Sequence, residues 1–253
     1  DVNAATANYA TVAGGRGNTA SGLYASVAGG QSNTASATHC IIAGGATNTA
    51  AAIYSSIGGG LTNVINTGAT HSTIGGGNLN TIALNNTYAL IGGGQSNTVN
   101  GTYGVVVGGR GNTVSATYAF IGGGQSHAAS AAYAVIGGGQ GNTASAAHST
   151  VAGGFGAIAS ANGAFVGGGQ NNTASAIYTV IGGGQNNAAS ATYATIGGGF
   201  MQTAAGNYSS IGSGQNNTIN TGATHSTIGG GQNITINTGA THGPSGRGQN
   251  HTI

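Results

Sequence analysis

An Ile or Val followed by a run of small residues, mostly glycine, returns along this chain at 12, 27, 42, 57, 74, 91, 106, 121, 136, 151, 166, 181, 196, 211 and 228, and Ser245 holds a degenerate sixteenth place. The step is 15 residues, except for 57→74, 74→91, 211→228 and 228→245, where it is 17. A unit this short cannot bury its own apolar side chains, so it must stack on its copies. The predicted fold is therefore all-β: a parallel β-roll or β-solenoid of about sixteen coils. It reads as one repetitive domain over 1–253. Both ends fall in mid-repeat, as in a segment of a longer chain or fibre.

Counting each unit from its Ile or Val as position zero, ring side chains occupy minus three. Tyr9, Tyr24, Tyr54, Tyr88, Tyr103, Tyr118, Tyr133, Tyr178, Tyr193 and Tyr208 stand there, His39, His71, His148, His225 and His242 fill five further units, and Gly163 interrupts the column. Alternation from minus three to plus two reads as a strand, with the small residue at minus two and the Ile on one face. The rings take the other face, as an interface or contact ladder. Plus three admits only glycine: Gly15, Gly30, Gly45, Gly60, Gly77, Gly94, Gly109, Gly124, Gly139, Gly154, Gly169, Gly184, Gly199, Gly214, Gly231 and Gly248. Such a column predicts a corner at φ > 0. A loose polar position follows, often Gln, and then a second strand. Its plus-six residue is usually Asn, at Asn18, Asn33, Asn48, Asn63, Asn97, Asn112, Asn142, Asn172, Asn187 and Asn217, and plus eight is Ala, Val or Ile. Both are placed inward, the Asn as a ladder bonding coil to coil. Thr at plus seven and Ser at plus nine, as in Thr113/Ser115 and Thr143/Ser145, face outward. The coil is thus expected to hold two short strands and two corners, the second corner absorbing the two extra residues of the long units. The interior is thin, about one Ile and two Ala-sized groups per coil, so coils should gain from neighbours beyond their own chain.

The chain holds 54 glycines, no Lys, Glu or Trp, and only Asp1, Arg16, Arg110 and Arg247 as charged residues. Three scattered Arg cannot neutralise a phosphate backbone, so nucleic acid is not an expected partner. One carboxylate side chain rules out paired-carboxylate catalysis and an acidic Ca²⁺ site. Gly122-Gly123-Gly124-Gln125-Ser126 lacks the Lys of a phosphate loop. His39 and Cys40 are adjacent, so a strand sends them to opposite faces, and the ring-column His recur singly, better read as stacked planar groups than as ligands. No apolar run reaches the roughly 20 residues of a membrane span. Glycine does not recur every third residue as in collagen. A non-enzymatic protein without cofactor or metal is expected.

Units such as Ser190-Ala191-Thr192-Tyr193-Ala194-Thr195-Ile196-Gly197-Gly198-Gly199 and Gly141-Asn142-Thr143-Ala144-Ser145 resemble the head repeats of trimeric autotransporter adhesins, the YadA-like heads. The resemblance covers essentially every unit. It implies a left-handed parallel β-roll, three chains about one axis, and adhesion at a bacterial surface. The family repeat is nearer fourteen residues, and the Tyr/His column is not part of its signature. The expected function is an extracellular structural or adhesive fibre, a surface adhesin head or self-assembling filament subunit, mediating attachment or cell–cell association. Its expected partners are copies of itself as a trimer or filament, and host matrix, cell surface or glycans. The alternative is ice binding through the Thr-x-Ser ladder, which resembles the Thr arrays of insect β-solenoid antifreeze proteins but is interrupted at Val64, Ala128, Ile158 and Ala188. Asn85, Asn100, Asn171, Asn207, Asn216, Asn233 and Asn250 begin N-x-Ser/Thr sequons, candidate glycosylation sites that would add solubility to a nearly uncharged chain.

Overall fold

The computed structural model describes residues 2–240 and Thr252. His242, Ser245, Arg247, Gly248 and Asn250 lie outside the described residues, as does Asp1. The chain is an all-β parallel β-solenoid of about sixteen turns, with no helix among the described residues. It divides into two compact units, Asp1–Ser126 and His127–Ile253. Each unit is built from two-residue strands in two parallel, in-register columns. The first unit has eight strands in each column, the second eight and seven. One column holds positions minus one and zero, as in Val105–Val106 against Phe120–Ile121. The other holds plus seven and plus eight, as in Thr98–Val99 against Thr113–Val114.

Two features differ from the two-strand coil expected. The position after the glycine corner is a third ladder of single-residue parallel bridges: Gln95↔Arg110 in the first unit, Gln170↔Gln185 in the second. The Tyr and His rings lie not on a strand but on a corner, with φ between 55° and 60°. Plus five is left-handed as well, for example Ser96 at 56° and Asn186 at 55°. At these places the amide turns toward the preceding coil: Tyr103 N–H donates to Thr87 O (3.0 Å) and Ser96 N–H to Asn78 O (2.9 Å). Strand amides instead reach the following coil, as Val105 N–H does to Ala119 O. A local alternation pattern carries no sign of φ, so by sequence alone the strand extends through the ring.

Inside each unit the side chains at minus two, zero, plus six and plus eight are buried, as Ala119, Ile121, Asn112 and Val114 are in the first unit. Volumes compensate between columns. A Cβ on Gly104, in the usual Ala slot, would lie 2.8 Å from a methyl of both Val99 and Val114. The two valines at plus eight therefore leave the slot between them no room for a side chain. Where Ser55, Ser149 and Thr179 fill the Ala slot, the hydroxyl donates three residues back, Ser149 to Ala146 O at 2.6 Å and Thr179 to Ala176 O at 2.7 Å, whereas in the long units Ser72 donates to Asn86 O and Ser226 to Ala240 O.

The Asn column is the polar spine. Asn97 Nδ2 donates to Gly93 O (3.0 Å) and to Gly109 O in the next coil (2.9 Å), while its Oδ1 accepts Asn112 N–H (3.0 Å). The same set repeats from Asn18 to Asn97 and at Asn142 and Asn187, and Asn112 makes the donor pair. Asn172 and Asn217 also make these donor pairs. Asn3 and Asn80 belong to the spine too. They stand at plus six of their units, where the register alone could have found them. The second unit substitutes His127, Ala157, Gln202 and Ile234 at this position. Ala157 keeps its backbone bond to Asn142 Oδ1 (2.9 Å) but brings no side-chain amide to the glycine carbonyls. Ala157→Asn should restore those bonds and stabilise the second unit by about 2 kcal/mol, read as a higher denaturant midpoint at unchanged slope.

Candidate functional site

The surface is a set of columns, and the most distinctive is aromatic. In the first unit Tyr9, Tyr24, His39, Tyr54, His71, Tyr88, Tyr103 and Tyr118 form one continuous stack with centroid separations of 4.7 to 5.0 Å. The second unit holds Tyr133–His148 and the run Tyr178–Tyr193–Tyr208–His225. Holding a Cβ-bearing residue left-handed costs about 1–2 kcal/mol, and a stacked pair contributes about 0.5–1.5 kcal/mol beyond its burial. The stack thus offsets the strain of its own corner, and Tyr and His exchange freely because either ring is flat. Gly163 keeps the left-handed corner (φ 66°) without a ring. Tyr178 leans into the gap, so that a Cβ on Gly163 would meet its Cδ1 at 2.5 Å. That tilt leaves Tyr178–Tyr193 the most widely spaced of these pairs, at 5.4 Å.

A second column runs along the plus-seven strands. Thr19, Thr34 and Thr49 are in register, as are Thr81, Thr98 and Thr113, with Val64 between the two runs. The serines at plus nine are exposed and the threonines half-buried. Ala128, Ile158 and Ala188 interrupt the column in the second unit.

The third column is bare backbone. All fifteen glycines from Gly15 to Gly231 at plus three have φ between 85° and 122°. A Cβ on Gly94 would fall on the Gly109 carbonyl oxygen and 2.8 Å from Asn97 Nδ2, so chain geometry and space both demand glycine there. Plus two is different. Gly14, Gly29, Gly44, Gly93, Gly108, Gly123, Gly138, Gly153, Gly168 and Gly183 lie outside the left-handed region, and a Cβ on any of them would meet nothing within 4 Å. Ser213 already occupies this position.

Asn85, Asn100, Asn171, Asn207 and Asn233 are exposed and Asn216 is half-buried, its Nδ2 donating to Asn233 Oδ1 at 3.2 Å. Cys40 is buried in the Ala slot with Sγ donating to Ala37 O (2.9 Å), and burial pushes its thiol pKa up. His127 replaces a spine Asn: its Nδ1 accepts Asn142 N–H at 3.0 Å, and burial holds the imidazole below the ordinary histidine value despite backbone bonds that oppose this. Among the described residues no three His, Cys, Asp or Glu side chains come together as a metal site.

These columns define the class of protein: a repeat β-solenoid whose coils present parallel, periodic faces. No protein-family model matches the chain, and no curated protein is detectably similar to it.

Proposed function

We propose that this chain is a non-enzymatic structural fibre protein of the extracellular space or cell surface, an adhesin head or filament subunit that works by packing against copies of itself. The observation that carries the reading is the plus-two glycine column. The isolated coil has room for a side chain at each of ten such positions, yet glycine stands there. A requirement that the chain's own geometry does not impose points to a surface pressed against it from outside, where backbone-to-backbone approach excludes a Cβ. Resemblance to the YadA-like heads supports the same reading, with three chains about an axis as one form of the assembly. The exposed ring and Ser columns then stay outside that glycine-packed face, open to a further copy of the chain, to host matrix, cell surface or glycans, and the exposed sequons are candidate sugar attachment points.

The test is the native mass of the purified chain by light scattering, with negative-stain images, before and after Gly153→Ala, Gly168→Ala and Gly183→Ala together. The triple variant should fold as well as the parent or better, since alanine at a compatible glycine site stabilises by about 0.4–1 kcal/mol through the unfolded chain. Its native mass should fall to that of one chain. An assembly indifferent to the three alanines would remove the reading. In-register threonines such as Thr81, Thr98 and Thr113 favour ice binding as the second reading. A monomeric parent that shapes ice at micromolar concentration would establish it.

A further inference from the structure

All ten tyrosines of the chain stand in the ring column. Tyr88 and Tyr118 flank Tyr103 with centroids at 5.0 and 4.8 Å and planes 3° and 6° apart. Both faces are covered in this way while the residue stays 41 % exposed, an arrangement that turns outward the ring edge with its hydroxyl and ortho carbons. Competing targets for one-electron oxidation are few: the chain has no Trp, its only Cys is buried, and Met201 is its only Met. Charge does little to keep two columns apart. The described residues of the second unit include no Asp, Glu, Lys or Arg, and Arg16 and Arg110 of the first lie on the bridge ladder, at another corner from the rings.

We propose that the tyrosine column is an oxidative modification site, through which a haem peroxidase using hydrogen peroxide joins two copies of this chain by dityrosine. The proposal rests on the self-packing read above and adds a covalent step to it. Each of two phenols gives one electron and its hydroxyl proton to the peroxidase cycle. The two phenoxyl radicals form a carbon–carbon bond between ortho carbons, and the proton on each of those carbons passes to its ring's own oxygen, restoring two phenols. Hydrogen peroxide, taking up two electrons and two protons, leaves as two waters. Geometry directs the bond between copies. A biaryl bond leaves in the ring plane, whereas neighbours in one column lie face to face, so coupling within the column would break the stack. A second copy meets the exposed edges directly, and a row of them at regular spacing multiplies each encounter.

The experiment mixes ¹⁴N and ¹⁵N chains, adds a haem peroxidase and hydrogen peroxide, and reads denaturing gels, dityrosine fluorescence and cross-linked peptides. Covalent dimers and larger species are expected, with mixed-isotope peptides joining column tyrosines. Changing all ten Tyr to Phe keeps the stacked rings and should lower cross-linking at least tenfold. The isotope readout on the parent chain decides the matter even if that variant does not fold. Oxidised tyrosine confined to monomer bands, or cross-links of one isotope only, would overturn the proposal. Light scattering of untreated chain separates the two ideas: a chain that assembles yet does not cross-link sinks this inference and leaves the fibre reading standing.

Discussion

Gly109→Val is expected to open the coil that carries it and to split protection within the first unit. Gly109 has φ 90°, where a β-branched residue is strained by about 1–3 kcal/mol. Its Cβ would also fall on the Gly124 carbonyl oxygen. That oxygen accepts both Arg110 N–H (2.9 Å) and Asn112 Nδ2 (3.1 Å), so moving it aside breaks two bonds between successive coils. Overpacking adds about 1–3 kcal/mol, and the sum, about 4 kcal/mol, exceeds what one thin coil can absorb. Because a solenoid is stabilised by nearest-neighbour contacts, the damage should stay local. Hydrogen exchange should accelerate at Arg110, Asn112 and their neighbours, with proteolysis appearing there, while coils near Thr34 keep their protection. Unchanged exchange at Arg110 would mean that the corner tolerates a side chain after all.

Asn97→Ala should cost nearly as much without any clash. Asn97 is fully buried, and its amide donates twice and accepts once. Alanine leaves Asn112 N–H buried without its acceptor, a loss of about 1–3 kcal/mol, and removes two further bonds worth about 1 kcal/mol each. A drop of about 3–4 kcal/mol in the stability of the unit follows, measured by denaturant unfolding. Asn97→Asp is the informative control. It keeps the shape and the acceptor but sets a carboxylate against the Gly93 and Gly109 carbonyls, and should be at least as damaging. If Asp proved neutral, the spine would act through shape alone and the donor bonds would carry little.

Periodicity made the fold class legible because one step, repeated, leaves the chain only neighbours of its own kind to pack against. The glycine at plus three and the buried sites at plus six and plus eight could be read from single columns, since each is dictated by forces within one coil and its copy above. Asn80 sits in the same register behind a 17-residue step, at plus six from Ile74, where the same count reaches it. The left-handed ring corner was not legible. Tyr is a strand-prone residue, and nothing local signals that its amide must turn back to Thr87 or Thr102. The bridge ladder at plus four was hidden for a related reason, because its members, Gln95, Arg110 and Phe155 among them, share no side-chain property and pair through backbone alone.

The surface columns divide along the same line. Sequence by itself determined that rings, threonines and glycines recur in register, because a fixed period allows nothing else. Only the tertiary structure decided which of those columns the fold consumes. It showed that plus-three glycine is required by φ and by the next coil, whereas plus-two glycine faces open space. It also showed that the rings cover one another's faces and leave edges outward. Both facts depend on where the neighbouring coil lies, a distance of 15 or 17 residues along the chain and about 5 Å through space.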